Sequence, residues 1–269
     1  MNTCISYQKT VELPGLGVKL SVHIDEFYFE FVPPTDFTDV CAGLCLSQPI
    51  SGWLAYPRAT RIIDLAESHD LLFKACSKKT RYEIERARKR DDVATEFLVA
   101  PSADRISGFC AYYDSFASSK GLPRIRRSQL DAMASAGKLV ISAALGGEGQ
   151  MLAMHAYVFE QQRARLTHSA SLFRLQADSA QRNRIGRTNR LLHWDDIVRF
   201  RELGSSAYDM GGWYTGNRND SLLRINSFKQ EFGGTVVDEW DMFRARSIRG
   251  RLYLRARDLL HRTQRPSGN

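Results

Sequence analysis

Three consecutive strand-like segments constrain the fold of this chain more than any other feature. They span residues 139–145, 151–159 and 163–171, and a Gly-Gly turn lies between the first two. Segments of this length that follow one another so closely predict a three-strand antiparallel meander. The other predicted elements beyond residue 93 are a strand at 94–99, helices at 102–120 and 128–136, a helix at 186–203, and strands at 207–210 and 235–243. This order is typical of an α+β protein and not of an alternating βαβ one.

The N-terminal part of the chain carries a separate set of predicted elements. Residues 16–32 alternate apolar and polar side chains and then continue into aromatic ones, which predicts one or two strands. The elements that follow are a short helix at Asp39–Leu46, a brief strand at 62–65 and a helical segment over 68–90 that is interrupted at residues 77–80.

Positive charge is concentrated at the C-terminus. The chain has 269 residues and a net charge of +8, yet residues 244–269 alone contain eight Arg against one acid, Asp258. The argument for an anionic partner is therefore an argument about this segment. We predict a basic amphipathic helix in which Ile248, Leu252, Leu259 and Leu260 share a face. Such a helix either lies on an anionic membrane or RNA or docks its apolar stripe on the protein.

Cysteine usage and hydropathy indicate a cytoplasmic protein. The five Cys residues are odd in number and lack the paired spacing of a metal site, so we expect free thiols and no bound metal. The N-terminus lacks the pattern of a secretion signal, and no apolar run reaches the length of a membrane span.

Two glycine-containing motifs carry the strongest chemical signal. In residues 208–213, Asp209 precedes Gly211-Gly212, and in residues 226–234, Lys229 lies between two Phe residues that lead into another Gly pair. Paired glycines predict a backbone that approaches something closely. An acid and a base beside such a backbone indicate the wall of an active site. The alternatives are a carboxylate that caps a turn and a lysine whose stem packs on aromatic rings.

These motifs, in this order, resemble the acyltransferase half of the Fem family, whose members have the GNAT fold and transfer amino acids from aminoacyl-tRNA to peptidoglycan precursors. The resemblance extends over about residues 75–240. It also includes shorter Fem-like proteins associated with exopolysaccharide and capsule synthesis. The segments that carry it are 77–84 (SKKTRYEI), 168–171 (HSAS), 186–194 (GRTNRLLHW), 208–212 (YDMGG) and 228–234 (FKQEFGG).

The resemblance implies a GNAT-like domain over residues 96–245, a partial N-terminal GNAT-like subdomain over 1–95 and a basic tail over 246–269. The first 95 residues are too few for the complete first domain of a full Fem enzyme. The segment Gln181–Gly186 lacks the second glycine of an acyl-CoA pyrophosphate loop. The donor therefore stays open between aminoacyl-tRNA and acyl-CoA, and no permanently bound cofactor is expected.

Acyl transfer to an amine requires a proton acceptor and donors for the oxyanion. We assign Asp209, with His168 at the end of a predicted strand, to the amine proton, and Lys229 to the oxyanion. The residues expected to contact substrate or its phosphates are Arg81, Arg187, Asn189, Arg190, Trp213 and Phe228. Arg81, Arg187, Asn189 and Arg190 are placed at predicted helix N-termini, where phosphates bind well. His155 and His193 are interpreted as mainly structural.

The resemblance therefore implies an N-acyltransferase that acts on an amine of a cell-envelope glycan, peptide or polysaccharide precursor. It would have an acyl donor as co-substrate and a possible peripheral membrane contact through residues 246–269. The alternative is a non-catalytic binding module of a polysaccharide-synthesis complex, attached through its basic tail.

Overall fold

A computed structural model describes residues 4–12, 17–147, 149–160, 162–175 and 178–264. Its strands are β1 (Ile5–Glu12), β2 (Lys19–Tyr28), β3 (Val40–Leu46), β4 (Leu54–Asp64), β5 (Val93–Val99), β6 (Leu139–Gly146), β7 (Met151–Glu160), β8 (Arg163–Ser171), β9 (Ala207–Gly212) and β10 (Thr235–Ala245). Its helices are α1 (His69–Ala75), α2 (Lys78–Arg90), α3 (Ala103–Lys120), α4 (Arg127–Ser135), α5 (Ser179–Glu202), α6 (Asp220–Gln230) and α7 (Ile248–Gln264), with a 3₁₀ turn at Leu172–Leu175.

The chain divides into two units. Ala59–Val237 form one, and the described residues up to Arg58 and from Asp238 onward form the other. In the first of these the strand order is β4-β9-β8-β7-β6-β5, and only β8 and β9 run parallel. In the other the order is β1-β2-β3-β10, and only β2 and β3 run parallel. The predicted boundaries at residues 95 and 245 remain predictions.

The predicted α+β class is confirmed, with mixed, mostly antiparallel strands flanked by helices. The meander β6-β7-β8 forms as predicted. The two predicted helices before it correspond to α3 and α4. The predicted interruption in the segment 68–90 is the break between α1 and α2, because Ser77 caps α2 by accepting a hydrogen bond from the Thr80 backbone N–H.

Several predicted elements were wrong or missed. The predicted helix at Asp39–Leu46 was wrong, because Val40–Leu46 form strand β3. This short apolar run is buried along nearly its whole length beside β2, and a continuous apolar run does not reveal its period. Helix α5 begins at Ser179 rather than near Gly186, capped by Asp178. Strand β1 and helix α6 were not predicted.

The core of the unit Ala59–Val237 lies between helix α5 and the strands. Trp194, Ile197 and Phe200 of α5 pack in one buried cluster with Tyr157 of β7 and Tyr208 of β9. Fully burying a large apolar side chain contributes roughly 1.5–3 kcal/mol. This cluster therefore holds α5 against the strands that form the site described below.

In the other unit, helix α7 packs with a different face from the one predicted. Tyr253 and Leu254 are buried, whereas Ile248, Leu252 and Leu259 are 72%, 41% and 59% exposed. The predicted fourth member of the stripe, Leu260, has a side chain outside the described residues. The predicted apolar stripe thus faces away from the packed side of the helix.

The side chain of Arg257 stabilises the packed face of α7 by stacking on aromatic rings. The Arg257 guanidinium lies 3.5 Å from the ring centroid of Phe243 and 5.0 Å from that of Tyr56. Stacking of this kind allows a cation to be buried on apolar surface.

The backbone at Gly233-Gly234 does approach another group closely, as predicted, and that group is strand β4 of the same protein. Both residues have positive φ, and a Cβ on Gly234 would lie 2.3 Å from the Ile62 carbonyl oxygen. The Arg61 guanidinium donates to the carbonyl oxygens of both glycines, at 2.6 and 2.9 Å. This contact fixes the exit of α6 against strand β4.

We expect Gly234→Ala to destabilise the protein by more than about 2 kcal/mol, because it combines a left-handed φ with a backbone clash. Gly108→Ala is the matched control, since Gly108 lies in helix α3 with open space around its Cα. There the change should stabilise by about 0.5–1 kcal/mol. Urea unfolding of both variants measures the difference, and equal effects would contradict the assignment.

Candidate active site

The parallel strands β8 and β9 pair over only a short stretch and then separate. Their register runs from Arg163 opposite Ala207 to Arg165 opposite Asp209. Beyond that point a cavity of about 660 Å³ opens between them, which we call the strand cavity. Strand β8, helix α3 and helix α6 supply most of its lining. From β8 come Leu166, Thr167, His168, Ser169 and Ser171, and from α3 and the loop after it come Tyr113, Phe116, Lys120 and Leu122. From α6 come Ser221, Arg224, Ile225, Phe228 and Lys229, and the other lining residues are Phe173, Asn189, His193 and Met210.

Glycine permits a close approach of β9 to β8 at the base of the cavity. Gly211 has φ +75°, and a Cβ there would lie 2.9 Å from the Leu166 carbonyl oxygen. The backbone of β9 therefore turns beside β8 at the base of the cavity in a conformation that other residues rarely adopt. The predicted close approach at Gly211 is to the neighbouring strand.

Lys229 lies at this base. Its ammonium group donates to the carbonyl oxygens of Gly211 and Gly212, at 3.0 and 2.5 Å. An ammonium has three donors, so one N–H remains for the strand cavity among the contacts of the described residues. Burial lowers the pKa of Lys229 to about 8, an effect that the Asp209 carboxylate opposes. The lysine is therefore mostly charged at pH 7.

Asp209 does not line the strand cavity. Its buried carboxylate accepts hydrogen bonds from the guanidinium groups of Arg163 and Arg165, from the Thr60 hydroxyl and from the Gly211 backbone N–H. Burial alone would raise its pKa, but the two arginines hold the pKa below the ordinary value. The carboxylate has four hydrogen-bond donor groups around it and lies outside the cavity lining, so this geometry does not place it to take a proton from an amine in the cavity.

His168 lies on the wall of the strand cavity, as a site residue should. Its ring stands edge-on to Tyr113, with centroids 5.0 Å apart. Burial, and then the charge of Arg126, lower the pKa of His168 to about 4. The imidazole is therefore neutral at pH 7 and offers a polar edge to a bound molecule.

The expected phosphate site in the first turn of a helix at Gly186 was wrong, because α5 begins at Ser179 and these residues lie inside it. Arg187 pairs with Asp91 at 2.6 Å, and Arg190 pairs with Glu231 at 2.7 Å and with Glu83 at 3.0 Å. Asn189 does line the strand cavity. Phe228 lines it as well, beneath the Arg190 guanidinium.

Two other predicted contact residues lie elsewhere. Arg81 is in the first turn of α2, but its guanidinium donates to the carbonyl oxygens of Lys74 and Cys76 at the end of α1. Trp213 follows β9 and packs under the Arg61 guanidinium, 5.2 Å from its ring centroid. Neither residue lines the strand cavity.

A second cavity is strongly basic. The basic cavity has a volume of about 430 Å³ and is lined by five cationic residues and one acid, together with Tyr82, Phe173, Asn183 and Gly186; the charged residues are Lys79, Arg86, Arg182, Arg187, Arg190 and Glu83. A smaller cavity of about 180 Å³ shares Phe173, Gly186 and Arg190 with it, and shares Phe173, Asn189 and Phe228 with the strand cavity. The smaller cavity therefore lies between the other two and adjoins both.

Sequence reasoning missed part of this site. Tyr113, Phe116 and Lys120 form one wall, and their spacing of three and four residues in a predicted helix was an available signal. Arg224 and Ile225 were missed because α6 was not predicted. His193 was assigned a structural role, although it lines the strand cavity.

No family model matches the sequence, and comparison with curated proteins finds no match. Solved structures are similar in fold. FemX has a TM-score of 0.61 at 11% identity, with 88% of each chain covered. The C-terminal domain of a candidate lysylphosphatidylglycerol synthetase from Agrobacterium fabrum has a TM-score of 0.58 at 13% identity, covering 95% of this chain and 90% of that one. The L-PGS of Bacillus licheniformis has a TM-score of 0.54 at 12% identity, covering 96% and 87%.

These similarities confirm the predicted Fem-like, GNAT-type fold. In addition, none of the described helices is long and apolar enough to cross a membrane.

We expect Asp209→Asn to destabilise the protein by about 3–5 kcal/mol, because it leaves Arg163 and Arg165 facing a neutral amide in a buried site. Glu202→Gln is the control, since Glu202 pairs with Arg199 on the surface and such pairs contribute less than about 1 kcal/mol. Denaturant unfolding compares the two variants. A cost for Asp209→Asn as small as that of the control would show that the cluster does not stabilise the fold.

Proposed function

We propose that this protein transfers an aminoacyl or acyl group from aminoacyl-tRNA or acyl-CoA to an amine of a cell-envelope glycan, peptide or polysaccharide precursor. The observation that carries the proposal is the Lys229 ammonium at the base of a cavity between two separating parallel strands. The fold shared with FemX supports it.

The donor carbonyl would lie in the strand cavity with its oxygen toward Lys229. When the amine attacks, a C–N bond forms and the carbonyl oxygen becomes negative. The remaining Lys229 N–H stabilises this charge, and the two glycine carbonyls hold the ammonium in place before the reaction. The bond to the leaving oxygen or sulfur then breaks. The amine loses one proton in the process, and the leaving group gains one.

The basic cavity would bind the phosphates of the donor. It adjoins the strand cavity through the smaller one, so a donor whose acyl end lies near Lys229 can extend its phosphates toward Lys79, Arg86 and Arg182. Arginine and lysine bind phosphate through charge-assisted hydrogen bonds. This placement replaces the helix N-terminus that we expected at Gly186.

A membrane contact through α7 is part of the proposal. The exposed residues Ile248, Leu252 and Leu259 lie among the exposed arginines Arg249, Arg251 and Arg255. An exposed apolar row flanked by cations is typical of a helix that lies in an anionic lipid interface. The contact would bring the protein close to envelope precursors at the inner face of the membrane. Lysylphosphatidylglycerol synthetase, to which the fold is similar, is named for a lipid product.

The first test supplies a charged-tRNA mixture or acetyl-CoA with three amine acceptors: an amino sugar, a lysine-containing peptide and hydroxylamine. We expect transfer by the wild-type protein from one donor class. In Lys229→Met the rate should fall by about 10²–10³-fold, as when an oxyanion donor is removed, while donor binding changes little. Mass spectrometry of the acceptors measures the products.

Donor binding separates the two donor classes. If the donor is tRNA, its affinity should fall steeply with salt, and Lys79→Ala with Arg86→Ala should reduce the logarithmic salt slope by about 0.7 for each phosphate that the variant no longer binds. Arg105→Ala on α3, remote from the basic cavity, is the control. Transfer that is unchanged in Lys229→Met would contradict the role proposed for Lys229. Absence of transfer by the wild-type protein from either donor would contradict the proposed function and favour a non-catalytic binding module.

For the membrane contact, replacing Ile248, Leu252 and Leu259 together with Ser should abolish sedimentation with vesicles that contain anionic lipid. Tyr253 and Leu254 stay intact, so the packed face of α7 is preserved. Wild-type protein that binds neutral and anionic vesicles equally, or neither, would contradict the contact.

A further inference from the structure

A chain of buried hydrogen bonds runs from the interior of the protein to the strand cavity. The Asp196 carboxylate accepts from the Tyr157 hydroxyl at 2.5 Å, and the Tyr157 and Tyr208 hydroxyls lie 2.9 Å apart. The Tyr208 hydroxyl in turn lies 2.8 Å from Nδ1 of His193. All four side chains are at most 2% exposed, and of the four only His193 lines the strand cavity.

With Asp196 as a carboxylate, one arrangement of protons satisfies all three hydrogen bonds of this chain. An ionised carboxylate can only accept, so Tyr157 gives its single proton to Asp196. Tyr208 must then donate to Tyr157, and Nδ1 of His193 must donate to Tyr208. The Nδ1–H tautomer of His193 follows from this order, and the lone pair of a neutral ring is then on Nε2.

A second branch reaches the same cavity. Nδ1 of His155 lies 2.8 Å from the Asp196 carboxylate, and its Nε2 lies 3.0 Å from Oδ1 of Asn189, which also lines the cavity. The Ser142 hydroxyl donates to Asp196 at 2.9 Å. The carboxylate is thus held in a fixed position by hydrogen bonds from Ser142, His155 and Tyr157, and the ring of His193 is fixed through it.

We propose that Nε2 of His193 is the proton acceptor for the attacking amine, and that Tyr208, Tyr157 and Asp196 act as positioning residues that fix its tautomer. This inference rests on the proposed acyl transfer. As the amine nitrogen bonds to the carbonyl carbon, its proton passes to Nε2. The imidazolium then gives that proton to the leaving oxygen or sulfur as its bond to the acyl carbon breaks, so no net proton is gained or lost.

The charges around His193 favour its neutral form, so a proton taken up at Nε2 is held there only briefly. Burial, followed by the nearby His155, Lys229 and Arg190, holds the pKa of His193 well below its ordinary value, so the ring is neutral and ready to accept at pH 7. The negative charge of Asp196, relayed through two polarised hydroxyls, stabilises the imidazolium while it exists. Asp209 occupies no comparable position, since its charge is already balanced by two arginines.

The test compares two nucleophiles in His193→Asn. The Asn amide can still donate toward Tyr208, but it has no base in place of Nε2. With the primary amine that the wild-type protein uses, we expect transfer to fall by about 10²–10⁴-fold, the usual contribution of a general base. Hydroxylamine is already neutral at pH 7 and releases its proton readily, so its transfer should change by less than about threefold.

A second variant tests the relay without removing the histidine. ¹⁵N NMR of histidine-labelled protein should show wild-type His193 as the Nδ1–H tautomer, and Tyr208→Phe should populate the Nε2–H tautomer and slow only the primary amine. A wild-type Nε2–H tautomer, or equal losses for both nucleophiles in folded His193→Asn, would overturn the inference while leaving the proposed function intact. Absence of transfer by the wild-type protein with either nucleophile would overturn the proposed function itself.

Discussion

The buried ion cluster of Asp209 with Arg163 and Arg165 is the interaction on which the site depends. It sits where β8 and β9 last pair, since Arg165 lies opposite Asp209 in the register. A buried carboxylate requires charged partners, and adjacent strands supply them here. The cluster therefore ties the two strands together at their last paired positions, and two residues further on Gly211 adopts a positive φ beside the Leu166 carbonyl of β8. The strand cavity opens directly beyond this junction, and the Lys229 ammonium is bound at its base.

Much of the fold was predictable because its elements are local. The meander, helices α3 and α4, and the break before α2 each follow from period, turn residues or a cap within a few positions. Strand β3 was not predictable in this way, because VCAGLCL is apolar at every position and only its pairing with β2 determines its conformation. Helix α6 was missed because its few apolar residues lie beside a cavity and are partly exposed, which weakens the periodic signal.

Of the two residues predicted from the glycine motifs, Lys229 lines the strand cavity and Asp209 does not. Lys229, Phe228, Asn189 and His168 line the strand cavity. Asp209 was assigned a catalytic role from its neighbours in sequence, but alternate residues of a strand face opposite sides, and it is the adjacent Met210 that lines the cavity. His193 looked structural since it precedes Trp194 inside a predicted helix. Its position at the end of a polar chain is visible only once β7, β9 and α5 are assembled.

The cation at the base of the cavity is positioned by main chain rather than by the cavity walls. Lys229 binds the carbonyls of one glycine pair, and its helix ends in a second glycine pair that lies against β4. The walls, in contrast, are side chains of α3 and α6 such as Tyr113, Phe116 and Ile225. Under the proposed acyl transfer, the cation and the side chains that would contact the acyl group are therefore encoded in separate parts of the structure. A lineage of such proteins could then change the acyl group that it accepts by altering wall side chains, with the position of Lys229 left untouched.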